Sequence, residues 1–458
     1  MRKIYYQCRF WQTAPLRLTN GENEHTDSDL MLDGLGRPFI PGSALAGVLQ
    51  SMLAEEEDAR ALFGYLDEKK GDREAARQES RVQVSDATLY ADRKDEEPQK
   101  AKKMRIRFSA RHGVRIDEET GTAVDGAKYD FEAVEVAGGH YTAVLELNST
   151  GENDPVEKTL EELMQAAVSG SISFGARTTR GYGGMKAQVF KKVFDLSPGS
   201  AHNEKWLDFD PFSETSFGGE EVKAVEAADG LDIERDMHVG LKMEGNFIVR
   251  VRSTDPEGVD HYPLTSIADK PVIPGTSWAG VFRHHMLSLA RQAGLDGGAC
   301  AAVNELFGKT ETGNPKRSRI RFHETEIDGG NSLEVTRVAL DRFTMAPRDK
   351  AMLNERVCQG GRGELRIQMR RDPRLEDASL PSEEKEKIKK QDRLLMSLLD
   401  AALLDLHYGL LNVGGEGNVG RGRASITSLV INGKEESKLL NVEFLKPEGG
   451  DGTCAICG

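Results

Sequence analysis

No stretch of this chain is apolar for long enough to span a bilayer, and Met1-Arg2-Lys3-Ile4-Tyr5-Tyr6-Gln7 holds no apolar signal core. A soluble cytoplasmic protein with no membrane partner is therefore expected. Cysteine is scarce: five in 458 residues, which fits reduced thiols and not a disulfide framework. A basic balance is missing as well. The formal net charge is −14, the opposite of what a phosphate-binding surface usually needs.

Distribution matters more than the sum. Acid gathers in Glu55-Glu56-Glu57-Asp58, Asp95-Glu96-Glu97 and Glu220-Glu221, which read as solvated faces and linkers. Base gathers elsewhere. Lys100, Lys102, Lys103, Arg105, Arg107, Arg111 and Arg115 follow one another without an acidic residue between them. A second cluster runs Lys316, Arg317, Arg319, Arg321.

The chain repeats itself. Ile40-Pro41-Gly42-Ser43-Ala44-Leu45-Ala46-Gly47-Val48 returns as Ile273-Pro274-Gly275-Thr276-Ser277-Trp278-Ala279-Gly280-Val281. Leu62-Phe63-Gly64 returns as Leu306-Phe307-Gly308, and Ser80-Arg81-Val82 as Ser318-Arg319-Ile320. Gly170, Gly175, Gly181 and Gly183 match Gly409, Gly414, Gly420 and Gly422, each 239 positions on. Four elements in one order at nearly constant offset mark two homologous modules.

Each module reads as strand, helix, strands, helix, strand. The first strand spans Ile4 to Leu18 or His238 to Ser253. A Pro-Gly-Ser/Thr helix start follows, with Ser43 and Thr276 as N-caps. Asp154, Pro155 and Glu157 open a second helix that ends at Gly170; its counterpart runs from about Ser382 to Gly409. The last strands are Met185–Phe190 and Ala424–Ile431. This is an α+β pattern in ferredoxin-like or RRM-like order. The modules are expected at residues 1–196 and 237–433, joined by a Gly/Ser/acid-rich linker at 197–236 and followed by a polar tail at 434–458.

The repeated glycine loops carry the functional expectation. Phe174-Gly175-Ala176-Arg177-Thr178-Thr179-Arg180-Gly181-Tyr182-Gly183-Gly184 sets bare backbone beside Arg177 and Arg180. The second copy, from Gly414 to Arg423, repeats this with Arg421 and Arg423. Glycine lets a phosphate approach backbone N–H groups, so Gly181, Gly183 and these arginines are candidate RNA contacts. The helix starts at Gly42-Ser43 and Gly275-Thr276 add amides and a dipole for a second anion site in each module.

The sets Ile40-Pro41-Gly42-Ser43, Leu62-Phe63-Gly64, Gly175…Arg180-Gly181-Tyr182-Gly183 and Gly113-Val114-Arg115-Ile116-Asp117-Glu118-Glu119-Thr120-Gly121…Phe131-Glu132 resemble the RAMP superfamily of CRISPR effector subunits. The likeness is to backbone subunits of type III complexes, two of them fused as in type III-D systems. It implies guide RNA, complementary target RNA and other effector subunits as partners. It also implies a hairpin thumb in each module that interrupts the guide–target duplex, placed at 111–135 and 337–360. Arg111, Arg115, Arg337 and Arg342 are then candidate RNA contacts, with Met345 and Pro347 as wedges between bases. The second thumb lacks the Thr-Gly turn of the first.

The family's cutting residue is an acidic one between first strand and first helix. Asp27 lies 14 residues before Pro41, and Asp260 14 before Pro274. The resemblance implies that both are catalytic and hold a divalent metal, Mg2+, or orient a 2′-hydroxyl for attack on the adjacent phosphate. His25 and His261 flank them. Metal-dependent cleavage of target RNA at two places is the expected activity, and an inert RNA-binding scaffold is the alternative. A guide-processing nuclease would need a histidine-led first loop. A generic tandem RRM binder would need aromatics set along its central strands, and aromatic content is only 6%. Cys454 and Cys457 have the spacing of half a Zn2+ site, with no second pair following.

Overall fold

Alternation builds the first sheet: Ile4, Tyr6, Cys8 and Phe10 are buried on one face of β1 (Arg2–Gln12), and Tyr5 and Gln7 point to the other. The computed structural model describes residues 2–19, 30–53, 55–66, 77–92, 103–117, 122–151, 154–169, 172–213, 215–218, 220–223, 233–253, 258–295, 297–308, 316–377 and 379–436. It is a mixed α+β molecule of two units. The first holds Met1–Ala110, Asp130–Thr178 and Tyr182–Asp232. The second holds Arg111–Tyr129, Thr179–Gly181 and Ile233–Gly458.

After β1 come α1 (Gly42–Gln50), α2 (Glu56–Phe63), β2 (Val82–Val84), the long hairpin β3 (Arg105–Ile116) and β4 (Ala123–Ala137), β5 (Gly139–Ser149), α3 (Pro155–Ser169), β6 (Gly184–Asp195) and α4 (His202–Leu207). Strand order in this sheet is β2-β5-β1-β6, every pair antiparallel. Leu45, Leu49, Leu160, Leu163 and Met164 close the core against β1.

From Ile233 the pattern starts again. It runs β7 (Ile233–Met243), β8 (Arg250–Arg252), β9 (His261–Pro263), α5 (Gly275–Gln292), α6 (Gly297–Leu306), β10 (Ile320–Phe322), β11 (Asn331–Leu340), β12 (Pro347–Gln359), β13 (Arg362–Arg370), α7 (Ser382–Tyr408) and β14 (Ala424–Ile431). The order β10-β13-β7-β14 repeats that of the first sheet. Trp278, Phe282, Leu395 and Leu399 are fully or almost fully buried against β7, each contributing roughly 1.5–3 kcal/mol. No described helix is long and apolar enough to cross a membrane.

The repeated motifs are repeated to the atom. The Ser80 hydroxyl donates to the Leu62 and Val82 carbonyls, as Ser318 does to Leu306 and Ile320. Arg81 pairs with Asp154, the residue that also accepts from Val156 N–H at the start of α3. Arg319 makes the matching pair with Asp392 on α7, at 2.5 Å. The second basic cluster is thus partly neutralised inside the fold, since Lys316 also meets Glu305.

Several expectations are corrected. β1 stops at Gln12, not Leu18: Pro15 has no N–H to give a ladder, and the chain turns so that Leu16 pairs with Val134. In the second unit β7 ends at Met243 and a separate β8 follows. Ser43 and Thr276 are not the caps. The N-cap residues are Pro41 and Pro274, two positions earlier, and neither supplies a side-chain cap. The Asp86 carboxylate instead accepts from Gly42 N–H at 2.7 Å.

The 197–223 stretch is no loose linker. It carries α4 and lays Trp206, Phe209 and Phe217 over Tyr5, Val144 and Phe194 on the second face of the first sheet. Trp206 Nε1 donates to the Tyr5 hydroxyl at 3.0 Å, and Val222 N–H to the Val189 carbonyl. α7 ends as expected at a left-handed Gly409. Gly170, residues 224–232 and the tail beyond 436 lie outside the described residues.

Candidate functional site

The glycine-rich loop is a latch before it is anything else. In the first unit Phe174 N–H donates to Gly183 O, Gly183 N–H to Pro15 O, and Ala176 N–H to Arg17 O. In the second, Val413 N–H donates to Gly422 O, Gly422 N–H to Asn246 O, and Gly415 N–H to Ile248 O. The loop is therefore tied down on the segment that follows the first strand by the same bonds twice. A methyl group at Gly183 would fall 1.8 Å from Phe174 O, and one at Gly422 2.0 Å from Val413 O. Gly183 N–H is spent on protein, not held out for phosphate. Of the cradle expected from sequence, this takes Gly183 N–H away from a phosphate. Where the helices start, methyls would meet Val84 O at 2.5 Å from Gly42 and Phe322 O at 2.2 Å from Gly275. A methyl at Gly181 would meet Phe322 O at 2.6 Å.

The candidate arginines separate into two groups. Arg115, Arg342 and Arg423 are exposed, Arg180 is half-buried, and the helix-start residues Ser43 and Thr276 are exposed and half-buried. Arg111 is buried and pairs with Glu324 at 2.9 Å within the second unit. Arg421 is buried too, and Arg337 is ion-paired, so both belong to the fold's own charge network.

That network stands midway along the second hairpin, where Glu355 faces Val335. Glu355 on β12 has no exposed surface and meets Arg250 of β8 at 2.8 Å, Arg337 of β11 at 2.6 Å and Arg421 of the glycine-rich loop at 2.7 Å. Glu416 contacts the same three arginines. Burial pushes the Glu355 carboxyl up, but hydrogen bonds from Arg421 and Arg337 outweigh it and hold the group below its usual range. Asp260 sits next to this cluster. It is exposed, its Oδ2 accepts from Asn354 N–H at 2.7 Å, and its own N–H donates to Asn354 O at 2.8 Å. His261 pairs in parallel with Glu355, with Nδ1 4.0 Å from Oε1.

The first unit closes the same place differently. Phe131 lies three residues before Val134, which bridges Leu16; Glu355 lies three before Cys358, which bridges Phe247. Phe131 is 2% exposed, with the Arg17 and Arg177 guanidinium carbons 4.5 and 4.9 Å from its ring centre and Tyr182 edge-on at 5.6 Å. Arg177 and Glu416, 239 positions apart, share a left-handed φ of 61° and 64°. Asp27 and His25 lie outside the described residues, as do Cys454 and Cys457.

The second hairpin ends in an apolar tip. Asp341 Oδ1 accepts from Phe343 N–H and Thr344 N–H, fixing a turn in which Phe343 is 90% exposed and Met345 72%. Neither the Glu355 cluster nor Phe343 was picked out from sequence. Phe131 stood in a quoted motif without a role. Among the described residues no group of three or more His, Cys, Asp or Glu could hold a metal ion.

No curated protein matches the chain. Among solved structures, one match is a chain of a type III-B Cmr-beta complex in the apo state, at 13% identity and a TM-score of 0.30, covering 40% of this chain and 96% of that one. The RAMP superfamily model matches residues 13–186 and 231–425, the first from just after β1 into β6 and the second from just before β7 into β14. The chain belongs to the RAMP superfamily.

Proposed function

We propose that this protein is a double backbone subunit of a type III CRISPR ribonucleoprotein, binding guide RNA through both modules and cutting complementary target RNA at two places. The two family segments and the repeated strand order support two fused subunits, which we read as ferredoxin-like modules of a type III-D kind. The observation that carries the reading is Asp260: an exposed carboxylate held on the Asn354 backbone, midway along a hairpin with an apolar tip.

The chemistry follows from that placement. Phe343 and Met345 suit unstacking of a base step, because an apolar side chain gains by displacing water and asks for no hydrogen bond. At an unstacked step the 2′-oxygen can line up with the phosphorus and the leaving 5′-oxygen. Asp260 then orients the 2′-hydroxyl and takes its proton as the oxygen–phosphorus bond forms, and the 5′-oxygen leaves with a proton from water, giving a 2′,3′-cyclic phosphate and a 5′-hydroxyl. Mg2+, an ion that keeps most of its waters and takes phosphate as a ligand, needs only one or two carboxylates from the protein. Asp260, and Asp27 in the first module, would hold it; bound there, it would neutralise charge on the phosphate. Arg115, Arg342 and Arg423 are exposed enough to meet RNA phosphates.

The test assembles the complex with guide RNA and follows end-labelled complementary RNA with magnesium. Asp27→Ala and Asp260→Ala should each remove a different product while target binding persists. An unchanged ladder in both variants leaves the alternative, a non-catalytic RNA-binding scaffold.

A further inference from the structure

The Glu355 cluster joins the paired hairpin strands β11 and β12 to β8 and to the glycine-rich loop. Its arginines come from β8, from hairpin strand β11 and from the glycine-rich loop, and its central carboxylate from β12. Three guanidiniums so close together repel one another unless a carboxylate lies among them, and Glu355 reaches all three. The residue before it, Asn354, holds Asp260 at both backbone and side chain. The residue after Asp260, His261, pairs with Glu355 itself. Whatever fixes Glu355 therefore fixes the strand on which Asp260 rests. The backbone bonds between Asp260 and Asn354 tie the loop to the strand, and the Glu355 ion pairs tie that strand to β8, β11 and the glycine-rich loop.

We infer that Glu355 is the positioning residue of the second cutting site, setting the distance between the Asp260 loop and the second hairpin through Arg250, Arg337 and Arg421. The inference rests on the reading of Asp260 as the cutting residue. Glu355 does not touch the RNA, since it has no exposed surface. The first module has Phe131 at the matching place, so its cut does not depend on a carboxylate there and serves as an internal control.

The experiment measures single-turnover rates for both cuts in the assembled complex for wild type, Asp260→Ala, Glu355→Gln, Glu355→Asp and Arg337→Gln, together with guide retention and target affinity. Loss of a supporting carboxylate commonly slows such a site by about 10–100-fold. Glu355→Gln should slow the second cut by that factor with the first cut and target affinity unchanged, and Glu355→Asp should recover part of the rate. Should Glu355→Gln fail to assemble, Arg337→Gln decides, because it removes one tie and leaves the carboxylate paired. A slower second cut alone supports the inference. Wild-type rates, equal slowing of both cuts, or a loss explained by target affinity overturns it. If Asp260→Ala removes a product and the Glu355 variants leave that product alone, the inference fails and the cutting assignment stands. If Asp260→Ala changes nothing, both fall.

Discussion

Adding one methyl group at Gly422 tests whether the glycine-rich loop is a latch or a phosphate cradle. Gly422 has φ +75°, and its β-carbon would lie 2.0 Å from the Val413 carbonyl oxygen. An ordinary contact is about 3.4 Å, so the loop must give by more than an ångström, in a place where Val413 N–H and Gly422 N–H are both bonded. The left-handed backbone costs a non-glycine residue about 1–2 kcal/mol. Overpacking against fixed backbone adds about 1–3 kcal/mol. Gly422→Ala should therefore destabilise the second unit by about 2–5 kcal/mol. Two controls share that unit. Gly420 has φ +85° but open space around it, so Gly420→Ala should cost only the backbone share, about 1–2 kcal/mol. Gly280, inside α5 with nothing near it, should gain about 0.5–1 kcal/mol on becoming alanine. For a unit of this size 1 kcal/mol moves the midpoint by about 2–4 °C. Thermal unfolding of the RNA-free protein should rank the midpoints Gly280→Ala, wild type, Gly420→Ala, Gly422→Ala from highest to lowest. If Gly422→Ala melts with wild type and loses only RNA affinity, the latch is refuted and the cradle restored.

Two further outcomes follow from charge. Arg111→Ala leaves the nearly buried Glu324 uncompensated and should cost about 3–5 kcal/mol of stability, whereas Arg115→Ala, at an exposed position four residues on, should leave the melting point alone and lower the salt slope of guide binding by about one; denaturation and a salt titration of affinity separate the two. Burial lowers the His323 ring to about 4, below the ~6.5 of an unfolded chain. The unfolded state then binds a proton that the folded state refuses, so stability should fall as pH drops from about 6.5 toward 4. His323→Gln should flatten that part of a stability–pH curve measured by urea denaturation, and an unaltered slope would remove His323 from the account.

The repeat was legible because it rests on residues with one physical solution. Ser80 and Ser318 each satisfy two carbonyls, Arg81 and Arg319 each meet a helix carboxylate, and the glycines admit carbonyls at distances no side chain allows. What the glycines were for was not legible. A bare N–H aimed at phosphate and one aimed at Pro15 O leave the same letter in the sequence. The helix caps were misplaced for a similar reason, since Asp86, 44 positions from Gly42, serves in place of the adjacent serine. The linker reading followed composition and passed over Trp206, Phe209 and Phe217, whose rings cover the sheet. Glu355 left no local sign, because Arg337 is 18 residues away and Arg421 is 66.

The two modules keep the latch and exchange what it closes upon. In one, Phe131 lies between Arg17 and Arg177 with Tyr182 at its edge; in the other, Glu355 lies among Arg250, Arg337 and Arg421 with Glu416 beside them. These are not interchangeable residue by residue. Phenylalanine at 355 alone would strand three guanidiniums around an apolar ring with only Glu416 to pair them, and a glutamate at 131 would remove the ring on which Arg17 and Arg177 stack and against which Tyr182 packs edge-on. Position 182 is Tyr and its counterpart 421 is Arg, so the chemistry changes at both ends of the contact together, as strongly coupled neighbours require. A duplicated fold can diverge at such a cluster only as a set. The set that differs lies beside the aspartate to which we assign the second cut, whereas the bonds that merely hold the module together have stayed the same.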